Sequence, residues 1–298
     1  MKTQSLKSKK TGDMIFGIVN AVILTIFTLI ILYPIINTLA YSFNSGTDAL
    51  KGGIYLIPRV FSFQNYETVF KRELLPTAAK ISVLRTVVAT VSQLFVTSLL
   101  AYVLSRKEFI FKKQVSLIYV LTMYVNGGLI PTFVLYKGLG LTNSFWVYII
   151  PGMVSAFNMI VIRTFMNGLP DSLVESAQVD GAGHFTIFMK IILPLCKPVL
   201  ATVALFIAVY QWNSWFDAML YNRTSPEYTT LQYELMKLLA SVMNQGGNAE
   251  AMKNASNTVS PLTMRAATTV VTAFPIVCLY PFLQRYFVTG MTIGGVKE

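Results

Sequence analysis

The sequence predicts an all-α integral membrane protein, a single domain over residues 1–298, with six membrane-crossing helices and both termini in the cytoplasm. Three observations carry this expectation. Hydrophobic residues make up 54% of the chain and charged residues only 12%, against about a quarter charged in a typical soluble domain. The apolar residues fall in long blocks of membrane-spanning length. The charges sit in the segments between those blocks, and the short loop over 106–113 carries four basic residues against one acid, which orients a chain in the bilayer. The formal net charge of +11 therefore reads as membrane orientation and contact with anionic lipid head groups, and no nucleic-acid partner is expected.

The elements follow in order. Lys2, Lys7, Lys9 and Lys10 precede an uncharged run over 14–43. A cleaved signal has an apolar core of only about 7–15 residues, whereas a span needs about 20. The run reads as a retained first span, kinked at Pro34, with its basic end inside. Residues 44–76 form a polar outer segment. Gly46, Gly52, Gly53 and Pro58 mark turns there, and Phe61, Phe63, Tyr66, Val69 and Phe70 predict a short helix at interface depth. The second span covers about 81–104. Arg85 sits one turn inside its outer boundary, where it either snorkels to the head groups or faces a water-filled path; nearness to the boundary favours snorkelling. Arg106, Lys107, Lys112 and Lys113 against Glu108 place the next loop inside. The third span, about 115–136, contains Gly127, Gly128 and Pro131, which imply close packing or a break. The fourth, about 144–165, contains Pro151, Gly152 and Asn158, and Arg163 returns the chain to the inner side.

Residues 170–195 are an ordered polar interruption. Pro170 and Asp171 open a helix, with Leu173, Ala177 and Val179 as its apolar face. Gly181 and Gly183 end it. Phe185, Phe188, Ile191 and Ile192 begin a second amphipathic run that Pro194 and Pro198 break. The stretch reads as helix, glycine turn, helix, lying on the membrane surface. The fifth span, about 199–220, carries Tyr210, Gln211, Trp212, Asn213, Trp215 and Asp217 in its outer half. Polar groups at that depth face a protein interior or a cavity, and mixed with aromatic faces they suit a sugar; the other reading is an interfacial aromatic belt. With Asn158, the polar and tryptophan members of this set are candidate substrate-path residues. Residues 221–264 are an outer segment with turn signals at Pro226, Gly246, Gly247, Asn248, Asn254 and Asn257 and one short amphipathic helix over Met236–Met243. The sixth span, about 266–287, is kinked by Pro275 and Pro281, and a glycine-rich tail from Arg285 to Glu298 lies inside.

Several chemistries are missing from the sequence. It has no G-x-x-x-x-G-K-[ST] loop, so ATP is not expected to bind this chain, and no cofactor or metal site is expected. His184 is the one histidine and reads as solvated. Cys196 and Cys278 have neither metal nor disulfide spacing. A membrane enzyme acting on lipid-linked sugar would need a carboxylate pair; Asp171, Glu175 and Asp180 form the one cluster, and its place on the inner side, within the ordered interruption, argues against that reading. An ion-coupled secondary carrier is the runner-up, disfavoured because the spans hold almost no acids.

Glu175, Ala177, Gly181, Ile191, Leu193 and Pro194 stand at the spacing E-A-A-x3-G-x9-I-x-L-P, with Ser176 where alanine is usual and Asp180-Gly181-Ala182 as D-G-A. This resembles the signature loop of permease subunits of binding-protein-dependent ABC importers, over nearly the whole chain. The stretch GGLIPTFVLYKGLGLTNSFWVYIIPG, the W-N-x-W-F-D-like pattern at Trp212–Asp217 and the tail are similar to the carbohydrate-uptake branch, and within it to permeases for complex oligosaccharides. Glu298 departs from the glycine often found at the tail's end. The resemblance implies a type I importer fold in the bacterial cytoplasmic membrane. It implies a coupling helix, Glu175, Ser176, Ala177, Asp180, Gly181 and Ala182, that docks on a cytoplasmic ATPase. Its implied partners are a second related permease, two ATPase subunits holding ATP and magnesium, an external sugar-binding protein and an oligosaccharide substrate. The chain itself would not be an enzyme.

Overall fold

In the computed structural model residues 2–245 and 259–295 are described, with side chains for 12–240 and 259–278. The expected turns at Gly246, Gly247, Asn248, Asn254 and Asn257, and the tail's last contact at Glu298, lie outside the described residues. Among those residues the chain is helical, with one isolated β-bridge between Asn44 and Phe61. Three helices are long and apolar enough to cross a membrane, Gly12–Ser42, Leu74–Ser105 and Pro261–Cys278. The number rises to five if the bent pairs Phe145–Gly152 with Ala156–Met166 and His184–Leu195 with Lys197–Asn213 each count as one. The helix that begins at Pro261 runs to Gly295, past the expected end at 287.

The chain divides into two compact units, Met1–Lys71 with Leu238–Val271 and Arg72–Lys237 with Thr272–Glu298. In the first unit the helix Lys2–Ser42 continues through Pro34, and Thr38 Oγ1 donates to the Pro34 carbonyl. Its most apolar window buries nothing. Beyond it, Phe43 stacks on Phe61 at 5.6 Å and meets Phe63 and Tyr66. The expected short aromatic helix is Gln64–Phe70, with Val69 buried. Asn65 anchors it by donating to the carbonyls of Ser42 and Asn44.

In the second unit the helix Leu74–Ser105 packs against both Lys197–Asn213 and Ala156–Met166. It starts well before the expected residue 81 because Pro76 sits in its first turn, where the missing N–H has no helical partner to lose. Met159, Ile162, Ile187, Phe188 and Val203 are fully buried around it.

The third, fourth and fifth expected spans are interrupted. The third is two helices, Lys112–Leu121 and Leu129–Gly138, separated where Gly128 takes φ +88°. The fourth opens as 3-10 turns over Phe145–Tyr148 and Ile150–Gly152, bent by 47° from Ala156–Met166. The fifth is Lys197–Asn213 followed by Phe216–Tyr221. Backbone groups freed at a break inside a membrane must find partners in the protein. One face of Leu74–Ser105 supplies them. Arg85 Nη1 donates to Ser214 O at 3.4 Å, Gln93 Nε2 to Ile149 O at 3.4 Å and Thr97 Oγ1 to Met153 O at 3.3 Å. Ser82 Oγ accepts from Leu231 N at 2.9 Å. Arg85, Ala89, Gln93 and Thr97 recur every fourth residue, the spacing of one helix face.

Candidate functional site

The polar interruption folds as a short helix, Ser172–Val179. Val174 and Ala177 are its buried pair, and Val179 is 88% exposed. Of the expected Leu173, Ala177 and Val179, Ala177 faces inward, and its buried companion is Val174 in place of the exposed Leu173 and Val179. Residues three apart share a face, whereas Val179 is two past Ala177 and points away. The helix ends as its composition requires. Gly181 N donates to Gln178 O at 3.0 Å and Ala182 N to Ala177 O at 2.9 Å, the paired bonds of a Schellman cap. Gly181 takes φ +79°, a conformation that costs an L side chain about 1–2 kcal/mol. Gly183 does not share this task. At φ −70° it is the N-cap of the next helix.

That next helix begins at His184 and is wound as a π-helix over Phe188–Ile192. Pro194 cannot donate to the carbonyl four residues back and its ring crowds that group, so the chain winds wider just before it. The helix passes Pro194 and stops at Cys196, and the next one leaves at 84°. Ile187, Phe188 and Ile192 are buried and Phe185 is exposed. His184 is exposed, with its Nδ1 3.3 Å from the Tyr102 hydroxyl.

Glu175, Ser176 and Asp180 thus stand exposed on a capped turn, while Ala177 and Ala182 seat that turn on the core shared with Met159, Ile162 and Val203. Lys107 of the preceding loop pairs with Asp171 at the helix start. The Lys107 hydrogen bond and charge hold the Asp171 carboxyl below its usual value of 3.8, and Asp171 in turn raises the Lys107 ammonium above 10.5. Both groups are exposed. Asp171 adds stability above the ordinary carboxylate range that is lost as pH falls through its lowered folded value. Lys107 adds stability that is complete below its unfolded value and lost as pH rises through its raised folded one. Carbon-13 titration of the Asp171 carboxyl is expected to show a midpoint below the ordinary value that returns to it in Lys107→Ala. An unchanged midpoint in that variant would break the assignment.

A cavity of about 570 Å³ lies in the second unit, beside the breaks in the third, fourth and fifth spans, lined in part by Asn126, Thr132, Tyr136, Tyr210, Gln211 and Asp217. Behind it stands Arg85, 1% exposed. Its Nη1 and Nη2 donate to both Asp217 oxygens at 3.1 and 2.6 Å, and its Nε and Nη2 to Gln211 Oε1 at 3.1 and 2.7 Å. The guanidinium carbon lies 4.2 Å from the Tyr148 ring centroid. Gln211 Nε2 donates to Tyr148 O at 3.3 Å, and the Tyr148 hydroxyl to Tyr228 O at 2.7 Å. Arg85 does not snorkel. Its helix begins at Leu74, so the residue is about three turns in, and Asp217 and Gln211 supply the partners a buried cation requires.

Of the candidate substrate-path residues, Gln211 and Asp217 line this cavity. Trp212 turns elsewhere, its buried indole donating to Thr272 O at 2.9 Å. Asn213 is exposed, bonded to Val209 O and Gln232. Trp215 packs edge-on against Phe216, and Asn158 is buried in the Ala156–Met166 helix; neither is among the cavity-lining residues. Replacing Trp212 with phenylalanine keeps most of the volume and removes the indole's bond to the Thr272 carbonyl. The expected cost is that of one hydrogen bond, about 0.5–1.5 kcal/mol, read as a lower unfolding midpoint. The sequence reading missed Arg85 and Tyr148 as site residues. Arg85, Gln93 and Thr97, eight and four residues apart on one face of an apolar helix, were the available signal, since polar groups at that depth face protein or water.

Residues 81–293 match the family model described as binding-protein-dependent transport system inner membrane component. The chain is 35% identical over 98% of its length to the whole polygalacturonan/rhamnogalacturonan transport system permease protein YtcP of Bacillus subtilis (strain 168). It is 30% identical, over 90% of its length and 92% of the relative, to the arabinooligosaccharides transport system permease protein AraQ of Halalkalibacterium halodurans. Its fold is similar to a chain in the crystal structure of a bacterial ABC transporter involved in the import of the acidic polysaccharide alginate. The TM-score is 0.83 with 35% identity, covering 93% of this chain and 98% of that one. The chain belongs to the binding-protein-dependent transport system inner membrane component family, and it is the membrane permease of such a system, not its ATPase.

Proposed function

We propose that this chain is one of two permease subunits of an ATP-driven importer for an oligosaccharide, in the bacterial cytoplasmic membrane. The carrying observation is the capped turn at Gly181. It presents Glu175, Ser176 and Asp180 outward while Val174, Ala177 and Ala182 are packed into the same core as Met159, Ile162 and Val203. A turn fastened in this way moves with the helices behind it. Closure of a pair of partner ATPases on ATP and magnesium would push on Glu175–Ala182, and the broken helices would switch between inward- and outward-facing states. This assigns the six-crossing topology with both termini and the 170–195 segment on the cytoplasmic side, and residues 44–76 and 221–264 outside, toward a sugar-binding protein.

Support for a second permease comes from the Gly12–Ser42 helix. Its apolar window is exposed all round, as suits lipid or another membrane subunit. Support for a saccharide comes from the aromatic and polar lining of the cavity and from relatives named for transport of polygalacturonan, rhamnogalacturonan and arabinooligosaccharides. The test is purification of the tagged chain from its source cells in mild detergent. Recovery of a second permease and an ATPase, with turnover raised by a co-encoded binding protein, is the expected result. A chain that purifies alone, without ATPase activity, would overturn the reading.

A further inference from the structure

The importer reading leaves open which face of a saccharide this chain meets. We infer that the cavity of the second unit is a subsite for an uncharged sugar ring and disfavours a uronate; this rests on the importer reading and deepens it. The lining supplies ring faces and hydrogen-bonding groups but no free cation. Tyr210 is 68% exposed and lines the cavity together with Tyr136 and Tyr221; the latter two rings lie 5.2 Å apart. Aromatic faces accept the C–H face of a pyranose through their negative quadrupole. Asn126, Thr132 and Gln211 add amide and hydroxyl groups.

Charge decides the class. Among the described residues the cavity lining contains no lysine or arginine, and its one charged member is Asp217. Arg85, the nearest cation, is committed: both Asp217 oxygens and Gln211 Oε1 take its donors, and Tyr148 covers its face. Asp217 Oδ1 also accepts from Ala218 N at 2.8 Å. One lone-pair site of about four stays open, on Oδ2 of a carboxylate whose side chain is 23% exposed. It accepts a sugar hydroxyl. Arg85 balances the Asp217 charge, so the lining offers no net positive charge, and a second carboxylate would have to enter without a guanidinium free to pair with it. The volume, about 570 Å³, is within the about 300–1,000 Å³ of small-molecule sites.

The test uses the intact transporter in lipid nanodiscs, without its binding protein, and saturation-transfer NMR on two probes of the same ring, trigalacturonate and its methyl ester. The expected result is transfer to the ring C–H protons of the ester, with the free acid binding at least tenfold more weakly. Tyr210→Ala is expected to abolish transfer to the ester. Thr132→Lys, which sets a cation in the lining, is expected to bring the free acid to parity or better. Equal or tighter binding of the free acid to the unaltered protein, no binding of the ester, or retained transfer in Tyr210→Ala would each overturn the subsite. ATP-driven uptake by the same preparation, reconstituted with its binding protein, is scored separately. Uptake without ester binding sinks the subsite alone, whereas loss of ATPase association sinks the importer reading beneath it.

Discussion

Gly181→Val is expected to uncouple transport while the protein still assembles. The φ of +79° at this position is one that a β-branched residue avoids. A Cβ built there meets nothing within 4 Å, so the penalty is backbone strain and not a clash, about 1–2 kcal/mol. The chain would relieve it by releasing the two capping bonds from Gly181 N and Ala182 N. Ala182 would then leave the core cluster, and Glu175–Asp180 would lose its fixed seat. Binding-protein-stimulated ATPase activity and uptake are expected to fall by about tenfold or more, the scale of a loss of about 1.4 kcal/mol. Gly183→Ala is the matched control. Its φ of −70° suits any residue and its Cβ also meets nothing within 4 Å, so transport is expected to stay near the parent level. Equal effects of the two substitutions would remove the cap from the coupling mechanism.

Arg85→Met is expected to be the most destabilising of these changes. It removes the cation that pairs with Asp217 and Gln211 and takes a donor from the Ser214 carbonyl at the break. Stranding one partner of a fully buried pair costs about 3–5 kcal/mol, and Asp217, 23% exposed toward the cavity, puts the cost at the low end of that range. The readout is the thermal unfolding midpoint of the purified complex, or loss of the monodisperse peak on size exclusion. The double variant Arg85→Met with Asp217→Leu removes both charges. It is expected to recover much of the stability, since replacing a whole buried pair by apolar residues is often neutral. Its transport is expected to remain impaired, because the cavity would have lost its polar edge at Asp217. A double variant no more stable than Arg85→Met would show that the Asp217 charge is not what the substitution strands.

Residue chemistry alone was enough for the elements whose physics is local. The uncharged run over 14–43 lies, but for Phe43, within one continuous helix. The glycine at 181 ends its helix in the left-handed conformation that its residue type permits. The spacing from Glu175 to Pro194 identified the family that the comparisons show. These readings needed only period, composition and a few backbone preferences.

Side-chain destinations across the fold were beyond that reach. Trp212, Asn213 and Asp217 lie within six consecutive residues, yet one indole turns to Thr272, one amide to Gln232 and one carboxylate to Arg85. Ser214 interrupts the helix between them, and a break reorients every residue after it. Arg85 looked like a boundary residue because the apolar block appeared to begin at 81. Only the packed structure extends the helix back to Leu74 and sets Asp217, 132 positions away in the chain, against the guanidinium. Composition and local spacing determined which segments are apolar, where the chain turns and which family it joins. The tertiary structure decided which polar groups meet. Unpaired backbone and charge are too costly to bury, and the partners that relieve them come from segments far apart in sequence.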